Sequence, residues 1–451
     1  MGIRAGRSGV LRLAAATFGA AAAVAVLAAL LSRLYVYGAD GPITNPTDFR
    51  AFYCGGAALA RGANPYRVEP LRSCERETLA QSGLHMDERH VLPAPFPPYA
   101  LLAFAAFSVL PFRTATEIWL ALDLLALAAC VACVARLSAL RPTLVAPAFV
   151  ASAGFASLVI GQVVPLVLAA LVYAALCARR GDGAGAALAV TVASLEPHLA
   201  LPAWCGLLLF VPRARVPLAC AAAFLVAASL AAGPALNVEY LTQIVPEHAR
   251  SELYNFAAQY SLSALLVTLG AAANVALRLG SLSYLVALAG GLWLGNLLRR
   301  RFDDPAFAVV TPVASVLLGG PFLHGHQLAA ALPLGLMLVG RLQPRTPLYV
   351  ATVAAVCALA VPWESLAESS LVADRLPPRT AAQAGPHLRV PAPDEPLERS
   401  YTAFMDAYAE RSDPRTLAEQ FATKLPTWYG LIVVLIAARA LGSGRRAIRA
   451  A

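Results

Sequence analysis

The sequence predicts an all-α polytopic membrane protein whose helices cross the bilayer about twelve times. Three observations carry that prediction. The first is composition: of 451 residues 59% are hydrophobic and 14% charged, with a mean hydropathy of +0.65, against roughly 45–50% apolar and about 25% charged in soluble domains. The second is the recurrence of apolar runs of spanning or near-spanning length along the chain. The third is the placing of arginines in short clusters between those runs. The net charge of +9 is therefore no sign of a nucleic-acid partner; Lys424 is the only lysine, and the basic excess is an arginine bias of short loops.

In chain order, Arg4, Arg7 and Arg12 precede an alanine-rich run, a pattern shared with signal peptides. That run continues to about Tyr37, long enough to span, and reads as an uncleaved first helix over 11–36. Further spans are expected at 114–137, 143–160, 162–178, 183–197, 199–212, 216–232, 280–298, 306–321, 326–340, 347–363 and 426–441. The run from Tyr99 to Leu110 is short and fenced by prolines. If it does not cross, "ARLSALRP", "ARRGDG", "VPRARV", "LRRRFDD", "GRLQPR" and "GSGRRAIRA" all fall on the cytoplasmic side with the N-terminus, as arginine-rich loops should. It is therefore read as a membrane-associated half helix, with an ordinary span as the alternative.

This topology puts residues 37–113, 233–279 and 364–425 outside, together with the corner Gly320–Gln327. Residues 1–363 form the transmembrane core, with 37–113 as its first outer loop. Residues 364–425 are a proline-rich outer loop ending in an amphipathic helix, about Tyr401 to Thr423, and 426–451 hold the last span and a basic tail. Cys54 and Cys74 share an outer loop, where an oxidising exterior permits a disulfide; two separate buried thiols fit equally well. Cys130 and Cys133 form a CxxC inside a helix with no second pair nearby, which reads as packing.

The polar residues gather at the outer ends. "TDFRAFYCGGAALARGANPY" begins with Asp48, whose plain structural reading is a helix cap. Its functional reading is a carboxylate general base at the membrane surface. "GPFLHGHQ" holds His324 and His326, "SLEPHLALP" holds Glu196 and His198, "IGQVVPL" holds Gln162, and "AQYSLSALL" holds Gln259. Structural roles compete at each, since polar side chains also satisfy backbone groups freed at helix ends.

"DFRAFYCGGAALARGANPY", "PFPPYALLAFAAFSVLP", "IGQVVPLVLAALVYAAL", "QYSLSALL" and "GPFLHGHQLAAALPLGLML" occur in this order over residues 20–345. Together they resemble glycosyltransferase family 87, also catalogued as a DUF2029 family, of the GT-C fold. The resemblance implies juxtamembrane helices in the first outer loop and an active site on the extracytoplasmic face of the cytoplasmic membrane. It implies a polyprenyl-phosphate sugar donor, with mannose favoured, and a lipid or glycan acceptor. It matches Asp48 to the family's catalytic aspartate and His324 and His326 to a polar pair at the outer end of a late helix. The candidate substrate-binding set around Asp48 is Arg50, Tyr53, Asn64, Tyr66, Gln162, Glu196, His198, Gln259, His324 and His326. One departure stands out: members often carry Lys-Pro where this chain has Glu196-Pro197-His198. A lysine there could hold a donor phosphate; a glutamate cannot, unless His198 or an arginine takes over.

The expected reaction is an inverting transfer in which Asp48 deprotonates the acceptor hydroxyl and the lipid phosphate leaves. No cofactor is expected, and with no Asp-x-Asp around residue 48 no metal is expected either. The alternatives are a transporter or flippase for a lipid-linked or glycan substrate, with Glu117 and Asp123 as its few charges in a helix, and a non-catalytic scaffold. Outer polar residues converging on one cavity would favour the enzyme, a through-going path the transporter, and scatter the scaffold.

Overall fold

The computed structural model describes residues 46–255, 258–361, 363, 389–409 and 414–443, with the side chains of 153–156 and 406–421 left aside. The expected first span over 11–36 and most of the basic tail lie outside these residues. All regular structure in the described residues is helical, apart from two isolated backbone bridges, Arg67 to Pro396 and Gln259 to His324. Four helices are long and apolar enough to cross a membrane: Phe112–Ser138, Pro212–Ala232, Ala273–Phe302 and Ala422–Ser443. Six more apolar stretches run between 10 and 17 residues, among them Pro142–Ala151, Gly183–Ala193, Pro197–Phe210, Phe307–Val316 and Pro347–Ala360.

Several expected boundaries change for local reasons. The run 143–160 is two helices, Pro142–Ala151 and Ala153–Ile160, broken where Ser152 takes a non-helical ψ of −126°. The run 326–340 begins as a tight turn of 3₁₀ helix over Gly325–Ala331 and becomes α-helical only at Leu332. The run 280–298 is the middle of a longer helix that starts at Ala273. The amphipathic helix of the last outer loop runs instead over Leu397–Ala409, and a second helix starts at Pro414 and continues through Pro426 to Ser443.

The run 99–110 is a short helix, Pro98–Ala105, followed by one 3₁₀ turn, Phe107–Val109. Eight α-helical residues rise about 12 Å, far short of a bilayer's roughly 30 Å. Helix Thr47–Ala60 lies directly on it: a Cβ at Gly56 would clash with the Phe104 carbonyl carbon, so only glycine permits the approach. Phe49 is fully buried, with its ring stacked 5.2 Å from Trp119 and edge-on to Phe107 at 5.8 Å. Aromatic packing of this kind stabilises by large apolar burial and fixes the first outer helix against the core.

The segments expected outside also bind each other. A disulfide joins Cys54 to Cys74, tying helix Thr47–Ala60 to helix Val68–Gln81. Residues 391–397 lie along the start of the latter helix, with backbone N–H groups of Val68 and Glu69 donating to Glu395 and Pro393 and that of Leu397 donating to Tyr66. His90 stacks on Phe404 at 4.4 Å.

At the opposite ends of the helices, Asp304 accepts from Arg179 Nη2 (2.6 Å) and Arg341 Nη2 (2.7 Å), while Arg179 also donates to the Arg136 and Leu137 carbonyls. Arg213 abuts Gly181 and Gly183. The loops expected on the cytoplasmic side thus converge in one region.

Candidate active site

Helix Thr47–Ala60 follows Pro46, which is its N-cap and supplies no side-chain cap. Asp48 therefore sits inside the first turn and does not act as the cap that the local pattern suggested. Its Oδ2 accepts from Gln162 Nε2 at 2.6 Å and its Oδ1 from Thr47 Oγ1 at 3.2 Å. Gln162 reaches it because Gly161 ends helix Ala153–Ile160 in the left-handed region, at φ 73°. A Cβ on Gly161 would lie 2.6 Å from Phe49 Cβ, and its carbonyl accepts from Trp119 Nε1 at 3.0 Å. The turn, the aromatic cluster and the carboxylate are thus set by the same contacts.

Asp48 lines a cavity of about 310 Å³. Gln162, Glu196, His198, His324 and His326 line it too, so six of the eleven candidate residues, brought from four distant segments, meet there. Burial raises the Asp48 carboxyl above the usual carboxylate range; the Gln162 and Thr47 hydrogen bonds and the nearby His324 pull it part of the way back, and Glu252 pushes it up. A carboxylate lifted in this way is a stronger base in its ionised form.

The other five candidates lie outside that wall. Tyr53 donates from its hydroxyl to the Leu110 carbonyl (2.8 Å), tying the first outer helix to the end of the half helix. Tyr66 is buried and donates to the Phe96 carbonyl (2.7 Å). Asn64 closes the Asn-Pro-Tyr turn by accepting from the Tyr66 N–H (2.9 Å) and donates to Glu239 (2.8 Å). Arg50 is buried; burial lowers its guanidinium, and Glu75 first, then Asp48, offset that. Gln259 supports the site from behind, donating to Glu252 (2.8 Å) and accepting from the Leu323 N–H (2.8 Å).

Sequence reading missed the residues that answer the histidines. Glu252 Oε2 lies 3.0 Å from His324 Nε2 and accepts from Asn255 at 3.0 Å. Burial opposes the Glu252 charge, but His324, His248 and Asn255 outweigh it and hold the carboxyl down at about 2. His324 and Gln327 form a reciprocal capping box that fixes the ring, with Gln327 Oε1 accepting the His324 N–H at 3.0 Å. Glu196 faces His198 at 3.4 Å, and Glu398, from the last outer loop, faces His248 at 3.5 Å. Three carboxylate–imidazole pairs therefore surround the cavity of Asp48. Tyr240, His248, Glu252, Asn255 and Tyr401 also reach its wall. The signal was present in "EYLTQIVPEHARSELYN", a polar outer stretch whose helix carries a π turn at Tyr240–Ile244; such turns often mark functional positions.

The polar cavity adjoins a larger apolar one of about 670 Å³ between helices Pro197–Phe210, Ala273–Phe302 and the π turn; Pro95, Pro197, His198, Tyr240, His248 and Phe322 belong to both. A third, of about 530 Å³, continues past Tyr99 and Trp204. The arrangement suits a substrate with a polar head and a long apolar tail.

The sequence profile of glycosyltransferase family 87 matches residues 95–321. That range holds Gln162, Glu196, His198, His248 and Glu252; Asp48, His324 and Glu398 lie outside it. No curated protein and no solved structure matches the chain. With half of its length under that profile, this chain belongs to glycosyltransferase family 87 and is a membrane glycosyltransferase.

Proposed function

We propose that the protein transfers a hexose, mannose being favoured by the resemblance, from a polyprenyl-phosphate donor to a lipid or glycan acceptor. The proposed frame is a GT-C fold of twelve crossings in the cytoplasmic membrane, with the active site facing outward. The observation that carries this reading is the placing of Asp48 in a polar cavity continuous with an apolar groove. The polyprenyl chain occupies the groove and the sugar lies in the cavity beside Asp48. Asp48 takes the proton of the acceptor hydroxyl as its oxygen attacks the anomeric carbon; the bond to the phosphate breaks, and the lipid phosphate leaves with the electron pair. One displacement inverts the anomeric centre. The Cys54–Cys74 bridge supports an outward-facing loop, since disulfides persist in oxidising compartments.

The test is to incubate purified protein with radiolabelled polyprenyl-phosphate mannose and a panel of lipid and glycan acceptors. The expected product carries mannose with the opposite anomeric configuration to the donor. Transfer from a nucleotide sugar alone, or retention of configuration, would overturn the reading.

A further inference from the structure

Donor binding requires a positive group where the groove meets the cavity, because the tail fills one, the sugar the other, and the phosphate lies between them. Among the described residues lining either cavity there is no lysine or arginine. Two histidines stand on the shared wall, His198 and His248. His198 turns Nδ1 to Glu196, and its Nε2 is buried without a hydrogen-bond partner. His248 stands with Nδ1 3.5 Å from Glu398 Oε2, without hydrogen-bond geometry, and its ring lines both cavities.

Resting on the donor reading above, we propose that His248 is the phosphate-binding cation of this enzyme and that Glu398, from the last outer loop, is the positioning residue that keeps it charged. Glu398 is almost fully buried, and neither of its oxygens has a hydrogen-bond partner among the described residues, so His248 is its nearest counter-charge. A buried carboxylate in that state is costly unless paired. The other groups facing His248 are Glu252 and Glu196, with the Phe322 ring edge-on at 5.3 Å. Burial alone pulls the imidazole down; the three carboxylates, Glu398 foremost, outweigh it and lift it to about 9. A protonated imidazole is then present at neutral pH, where a lysine would otherwise be needed. The position of Glu398 explains why residues 391–397 are laced to helix Val68–Gln81: that docking brings helix Leu397–Ala409 over the cavity.

The experiment compares binding of a polyprenyl phosphate with that of the uncharged polyprenol, on full-length protein in nanodiscs. Wild type should prefer the phosphate. His248→Gln should weaken phosphate binding about tenfold or more, the scale of one charge-assisted hydrogen bond, and leave polyprenol binding unchanged. His248→Lys should restore the preference. Glu398→Gln should lose it near neutral pH and recover it on acidification, as the imidazole again protonates; a purely structural Glu398 would not give that recovery. A full phosphate preference in His248→Gln, or in Glu398→Gln at neutral pH, overturns this inference alone. No preference in wild type overturns the donor reading with it.

Discussion

Asp48 lies in the first turn of a helix, where a carboxylate is ordinarily favoured by the helix dipole, yet burial raises its carboxyl. The Gln162 hydrogen bond is the largest restraint on that rise. Gln162→Leu removes it, so the Asp48 carboxyl moves further up and holds its proton to higher pH. A general base works only when ionised. The acid limb of the pH–rate profile should therefore shift to higher pH in Gln162→Leu, with the alkaline plateau reduced far less. A limb that stays in place would separate Gln162 from the base. The sequence showed Asp48 and Gln162 as isolated polar residues at outer helix ends; their 2.6 Å contact spans 114 positions of sequence and has no local signature.

Elements that gather the site are held by close backbone approaches, and there the sequence was only partly legible. The short helix over Pro98–Ala105 was readable because prolines fence its run at both ends. The break at Ser152 was not, because hydropathy stays high across 143–160 and a backbone kink leaves no mark on composition. Tyr53, Asn64 and Tyr66 carried the most specific local motif, yet they build the turn and the aromatic platform, since a motif records geometry as readily as chemistry. Gly161 marks the hinge between two elements. Gly161→Ala forces a side chain into a positive-φ position and against Phe49, each costing about 1 kcal/mol or more. It should lower thermal stability and transfer rate together, because the residue after it is Gln162; a loss of stability with full activity would contradict the coupling. Asp123 behaves differently. It is buried in helix Phe112–Ser138, and neither carboxylate oxygen has a hydrogen-bond partner among the described residues. An unpaired buried carboxylate is a cost, so Asp123→Leu should match or exceed wild-type melting temperature and retain transfer. Abolished function in a well-folded Asp123→Leu would favour the transport reading.

Over the whole molecule, the arginine pattern and the outer polar residues separate into two regions. Arginine loops meet at Asp304, and the polar segments expected outside meet at Asp48. Charge placement made that division legible, whereas the carboxylate partners Glu252 and Glu398 were hidden, since a loop acid looks like a solvated charge until the fold buries it. Asp304 is nearly inaccessible while its two arginines stay partly exposed. Asp304→Asn weakens two charge-assisted bonds and should cost roughly 2 kcal/mol, seen as a lower melting temperature, with the donor KM unchanged because the substitution lies at the far ends of the helices. A selective rise in KM would contradict the separation of the two regions.

The central claim is that Asp48 takes the acceptor's proton, and the most direct measurement is single-turnover transfer by Asp48→Asn from polyprenyl-phosphate mannose. The amide keeps the shape of the side chain and can still bond Gln162. The account predicts a folded protein that binds donor and acceptor with near wild-type affinity while transfer falls by about 100-fold or more. Transfer at the wild-type rate in that variant would contradict it.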